Sequence, residues 1–158
     1  MIKVFTDGFK IIQGFGKENT SPKFLPLYIA NGLDGHEGVD IVPLNKIMDW
    51  RIFSLFDGTV VRVSNICDNP YGRYVTIWSK KLNFALQYCH MASIKVSVGD
   101  KIKAGSYIGE MGGSGTFDGQ FDPHTHINKI PVNMFGYRNG NKKNGYKGLI
   151  DPTPDLLA

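Results

Sequence analysis

Alternation with a period of two dominates the hydrophobic pattern of this chain. In YVTIWS (74–79) and FALQYCHM (84–91), β-branched and aromatic residues recur at alternate positions, and SKKLN turns the chain between them. That pattern predicts two antiparallel strands of a meander. Upstream, RIFSLFDGTVVRVSNI (51–66) reads as two further runs joined by Asp57-Gly58, a dipeptide that tolerates the positive φ angles of a tight turn, so a hairpin is expected there. Downstream, IKVSVGDKIKAGSYIGEMGGSG carries apolar pairs separated by Gly99-Asp100, Gly105 and a glycine cluster. It predicts tight turns and, at 112–119, a flexible or closely approached loop. No window of helical length keeps a 3.6-residue apolar period, and one helical turn near Asp155 to Leu157 is the only helix expected. The fold class is therefore all-β, built on antiparallel sheet.

Composition changes this picture little. A chain of 158 residues fits one domain, 1–158, able to bury its own core, and 19 glycines with 8 prolines agree with many turns. The net charge of +4 makes an anionic partner plausible, such as nucleic acid, anionic lipid or bacterial wall polymers, although an ordinary mildly basic surface explains it as well. YRNGNKKNGYKG (137–148), with four basic residues and no acid, reads as a solvated loop. No specific nucleic-acid binding is expected, because no recognised motif or basic stripe with aromatics is present. Cys67 and Cys89 are too few for a disulfide framework and have no zinc-motif spacing, so free thiols are expected. The opening residues MIKVFTDGFKII lack the features of a secretory signal, and no apolar run approaches a membrane span.

The four histidines carry the chemistry. On a strand, residues two apart share a face with Cα atoms about 6.6 Å apart. His124 and His126 in PHTHI can therefore address one point while Thr125 faces away, which suits one metal ligand beside one catalytic partner. By the same alternation Cys89 and His90 face opposite sides, and His90 shares its face with Tyr88 and Leu86. In GHEGVDIVP, His36 precedes Asp40 by four residues, a spacing of about 13 Å in an extended strand and too far to share an ion held at about 2.0–2.2 Å. Gly38 must bend the segment if both are ligands. Two imidazoles and a carboxylate would form a catalytic-type zinc set with one position left open, whereas a lone histidine in such a chain is more often a surface or satisfied core residue.

GHEGVD, LFDGTVVRV, YGRYVTIW, QYCHM, VSVGDKIKAGSYIG, GGSGTF, PHTHI and the closing DPTPDLL, in that order over about residues 31 to 158, resemble the LytM/lysostaphin-type zinc endopeptidases of the M23 family. The resemblance implies a twisted antiparallel β-sheet with a loop-walled groove, a lead-in segment 1–30 and a catalytic core 31–158. It implies that His36, Asp40 and His126 hold one Zn2+ per chain and that His90 and His124 are catalytic. The implied substrate is the peptide part of bacterial peptidoglycan, a stem-peptide cross-link or a glycine-rich bridge. The implied place of action is the cell wall, with a phage lysin or virion-associated enzyme as one setting and a monomer expected outside a virion assembly. Ile127, Asn128 and Lys129 depart from the aromatic and carboxylate that often follow the family's His-x-His.

Two rival readings are weaker. A non-catalytic wall-binding or structural member of the same fold predicts a lost ligand or catalytic histidine, and all five positions are filled. VSVGDKIKAGSYIGEMG resembles half of a biotinyl or lipoyl carrier domain, but no lysine follows Met111 at the tip.

Overall fold

The computed structural model describes residues 3–45 and 49–158; Met1 and Ile2 of the opening stretch lie outside them. Nine strands form one antiparallel sheet among the described residues: β1 Phe9–Gln13, β2 Val39–Pro43, β3 Arg51–Phe53, β4 Gly58–Ser64, β5 Arg73–Ser79, β6 Phe84–Ile94, β7 Lys101–Ile102, β8 Tyr107–Met111 and β9 Thr125–Pro131. The order is β1-β2-β9-β6-β5-β4-β7, with β8 bridging β6 and β3. No described helix is long and apolar enough to cross a membrane.

The β5–β6 meander forms as the alternation predicts, with Val75 opposite Tyr88 and Ile77 opposite Leu86. Tyr88 is in turn opposite Ile127 of β9, and all five side chains enter the main core. Alternation then assigns the other face. Trp78, Ala85 and Ile130 form one cross-strand row, Thr76, Gln87 and Asn128 the next, and Cys89 with His126 a third. One face of the sheet is thus hydrocarbon, packed against Ile52, Phe56, Ile108 and Met111, and the other is polar at the His126 end and gives way to a second apolar cluster of Ala85, Ile130, Val132 and Leu149.

Three expectations need correction. The hairpin at 51–66 does not form: β3 pairs with β8, and β4 pairs with β5 and β7. Asp57 is engaged elsewhere, accepting the Ala104 N–H at 2.9 Å and the Lys103 ammonium at 3.1 Å. Gly58 lies within β4 without a positive φ, and a Cβ there would meet the Trp78 carbonyl oxygen at 2.6 Å, so close strand approach accounts for the glycine. The second correction is helix α1, Leu25–Ala30, which the periodicity did not predict. It is a short segment begun by Pro26 near its N-terminus, too brief to establish a period. The expected C-terminal turn is α2, Thr153–Leu157.

The third correction concerns His90. Between Tyr88 and Met91, both in the core, β6 carries one residue more than the facing stretch Val75 to Arg73 of β5. That β-bulge puts His90 at φ 60, a left-handed conformation uncommon outside glycine and costing about 1–3 kcal/mol. Its N–H is secured on the Tyr71 carbonyl at 2.8 Å. The bulge turns the imidazole away from Tyr88 and Leu86 and toward His124 and His126.

Gly38 shows a second close approach. A Cβ there would stand 2.5 Å from the Ile127 carbonyl oxygen and 2.7 Å from the His126 ring, and the residue has no positive φ. The glycine lets β2 close on β9 by having no side chain. A Gly38→Ala chain is therefore expected to lose about 1–3 kcal/mol of stability, read from the urea midpoint at unchanged m value.

Candidate metal centre and its flanking histidines

β2 and β9 are paired with Asp40 opposite His126, which sets these side chains together on the polar face. His36 arrives from the loop before β2, where its N–H donates to Thr20 Oγ1 at 2.7 Å and its carbonyl accepts the Gly16 N–H at 2.8 Å. Its ring is almost fully buried. The three donor atoms converge: His36 Nε2 is 3.0 Å from His126 Nδ1 and 3.3 Å from Asp40 Oδ1, and His126 Nδ1 is 2.9 Å from the same carboxylate oxygen.

The outer hydrogen bonds decide which atoms face inward. His36 Nδ1 lies 2.9 Å from the Gly14 carbonyl oxygen, which only accepts, so the proton of the neutral ring is on Nδ1 and Nε2 carries the lone pair. His126 Nε2 is 2.7 Å from Asn128 Oδ1, and the Asn128 amide donates in turn to Gln87 Oε1 at 3.0 Å, which leaves the Nδ1 lone pair of His126 inward. Gln13 Nε2 of β1 donates to Asp40 Oδ2 at 3.3 Å and turns Oδ1 to the imidazoles. Two nitrogen lone pairs and a carboxylate oxygen thus meet in a buried space, and only a proton or a cation reconciles them. Among the described residues His36, Asp40 and His126 are the group able to hold a metal ion, and the nitrogen and oxygen set fits zinc.

His90 and His124 stand beside this cluster without joining it. Their ring centroids are 4.7 Å apart, and that of His90 is 5.8 Å from that of His126. His124 Nε2 lies 3.7 Å from Asp40 Oδ1. Both are tied through Nδ1 to carbonyl oxygens, His90 to Ser114 at 2.7 Å and His124 to Asp122 at 2.8 Å, so each keeps Nε2 as its unprotonated nitrogen when neutral. The 112–122 loop supplies these anchors. Gly113 permits close approach of the Phe121 carbonyl, Phe121 packs on His90 at 4.7 Å between centroids, and Arg73 forms a bidentate ion pair with Asp118.

Several residues around the site escaped the sequence reading. Gln13 and Asn128 orient two of the donors, and Tyr71 stacks on His126 at 5.7 Å while its hydroxyl donates to Glu37 Oε1. Tyr71 lies in YGRYVTIW, one of the recognised motifs, but neither alternation nor spacing marks it. Cys89 shares the His126 face, yet its thiol meets the Gln87 carbonyl at 3.8 Å, and burial with the charges of Glu37 and Asp40 pushes it far above the usual thiol range. It remains a neutral thiol. Cys67 is also free.

Without metal, burial alone would lower His126, but its bond to Asp40 and the charges of Asp40 and Glu37 raise it to about 9. Burial, with the His126 and His124 charges, pushes His90 down to about 3. The consequences for stability run in opposite directions. The His126 contribution is full below about 6.5 and is lost as pH rises through about 9. His90 contributes in full above about 6.5 and loses stability on acidification, as the unfolded ring takes a proton that the folded one refuses until about 3. The metal-free chain is expected to show its highest thermal midpoint near pH 6.5. A metal competes with the His126 proton, so zinc affinity should rise about tenfold per pH unit from 7 toward 9 and then level off, as measured by chelator competition.

The β fold thus brings two imidazoles and one carboxylate together beside two further imidazoles. The chain belongs to peptidase family M23, whose model matches residues 34–134. Among solved structures, it is similar to the catalytic domain of the antimicrobial peptidase lysostaphin from Staphylococcus simulans, with 22% identity over 95% of this chain and 93% of that one and a TM-score of 0.64. It is also similar to a zinc-containing peptidase from Vibrio cholerae, at 21% identity over 94% of this chain and 36% of that one, TM-score 0.60. A third similar structure is the catalytic domain, in mutant form, of the prophage-encoded M23 protein EnpA from Enterococcus faecalis, at 24% identity over 91% and 97% of the two chains, TM-score 0.60. These likenesses establish the fold.

Proposed function

We propose that this chain is a zinc-dependent endopeptidase that hydrolyses peptide linkages of bacterial peptidoglycan, with one Zn2+ held by His36 Nε2, Asp40 Oδ1 and His126 Nδ1. The observation that carries the reading is the convergence of those three lone pairs beside two histidines whose Nδ1 atoms are fixed on carbonyl oxygens. Zinc bound there supplies a Lewis acid that polarises the scissile carbonyl and acidifies water. No glutamate serves as base. His90 and His124 take that work: an Nε2 lone pair accepts the proton of the attacking water, and the imidazolium so formed delivers it to the departing amine. His124, the less buried of the two, meets substrate first. His90 lies deeper, where burial keeps the resting ring neutral and its Nε2 lone pair ready to accept.

The wall substrate is supported by the M23 family and by the likeness to lysostaphin, an antimicrobial peptidase. Action at the cell wall follows from it, and the prophage-encoded relative supports a phage or virion setting. The whole chain is read as one catalytic domain, since Gln13 of the lead-in reaches Asp40. Metal analysis with wall clearing tests the reading. One zinc per chain is expected, with clearing of purified walls that a chelator abolishes and zinc restores. Clearing that persists after complete removal of metal would overturn it.

A further inference from the structure

The face of the sheet that carries the metal centre continues beyond it. Following β9 from His126 through Asn128 to Ile130 covers four residues, about 13 Å of extended chain, and leads along the same face into a cavity of about 400 Å³. Its floor is Thr76, Trp78, Ala85 and Ile130, and its walls carry Arg62 and Arg138. A bulge in β4 makes this possible: one extra residue between Val60 and Arg62 brings Arg62 opposite Thr76 and onto this face. Arg138 is held on the other side by a bridge to Val132, with the turn around Gly136 lying over the Trp78 ring at 3.5 Å from where its Cβ would be.

The cavity holds donors with nothing to receive them. Thr76 Oγ1 and Trp78 Nε1 are buried without a hydrogen-bond partner, and Thr76 is only 5% exposed. The indole N–H can only donate. Both guanidinium groups are exposed, and neither has an ion pair or hydrogen bond among the described residues. No acidic side chain lines the space. Two planar cationic forks, an indole N–H and a hydroxyl around one pocket match a carboxylate, which accepts from all of them.

We propose that this cavity is a specificity subsite for a carboxylate on the peptide substrate, about four residues along from the bond that is cut. The proposal rests on the peptidase reading and names the substrate class within it. It selects an acid-bearing stem peptide over an uncharged glycine bridge. Arg62 and Arg138 clamp the carboxylate, and Trp78 and Thr76 complete its hydrogen bonds.

The test needs no turnover. Nitrogen-15-labelled, zinc-loaded full chain is titrated with two blocked hexapeptides, identical except that one carries glutamate where the other carries glutamine. The Trp78 indole N–H signal, assigned with Trp78→Phe, is followed by NMR. The glutamate peptide is expected to shift that signal and bind at least about tenfold more tightly, the scale of a charge-assisted pair. Arg62→Gln and Arg138→Gln should each bring the ratio close to one with zinc content unchanged. Equal affinities for the two peptides in the wild type, or a ratio that survives both arginine replacements, would overturn the proposal. Inorganic phosphate displacing the glutamate peptide at equal concentration would also overturn it, in favour of a site for any anion. Failure of the peptidase reading shows separately, as walls left intact by the zinc-loaded protein, and does not alter what the titration reports.

Discussion

An Asp40→Ala chain is expected to bind zinc at least about 100-fold more weakly than the wild type and to release nothing from walls at stoichiometric metal. Loss of a partner beyond the ligands already costs metal sites about 10–100-fold, and Asp40 is nearer than that, contacting both imidazoles through Oδ1. The same change removes the group that holds the His126 proton, so the His126 titration should fall from its raised value of about 9. Isothermal titration with a competing chelator measures the first effect and histidine NMR the second. Wild-type zinc affinity in this variant would contradict the ligand set.

His90→Ala should separate binding from chemistry. His90 donates through Nδ1 to Ser114 and lies beside the cluster, with no atom among the three converging donors. Zinc content is therefore expected to be unchanged, while kcat falls by about 10²–10⁴, the usual contribution of a positioned proton-transfer group. The replacement also removes a buried imidazole while leaving the left-handed backbone in place, so the acid arm of the stability profile should flatten. Full turnover with full zinc occupancy would remove His90 from the mechanism.

What the sequence could reveal depended on whether periodicity governs the element. β5 and the first part of β6 follow a period of two, and their pairing could be read directly, whereas nothing in the sequence pairs β9 with β6 and β2. The i, i+2 relation placed His124 and His126 on one side for the same reason. His90 could not be placed that way, since one inserted residue between Tyr88 and Met91 reverses the face of everything beyond it, and nothing in QYCHM marks the bulge. The Asp57-Gly58 pair looked like a turn because its composition is that of a turn. Its partners, Ala104 and the Trp78 carbonyl, lie far off in sequence. Gly38 was singled out correctly as necessary, but its role is contact with β9 and the His126 ring. The outer hydrogen bonds from Gly14, Gln13 and Asn128 join segments that only the folded sheet brings together.

Mass spectrometry of the soluble fragments that the zinc-loaded protein releases from purified peptidoglycans of several cross-link types tests the central claim most directly. The account predicts new amino termini within a stem peptide or bridge, abolished in the His90→Ala and Asp40→Ala chains. Intact walls of every type, with one zinc demonstrably bound, would contradict it.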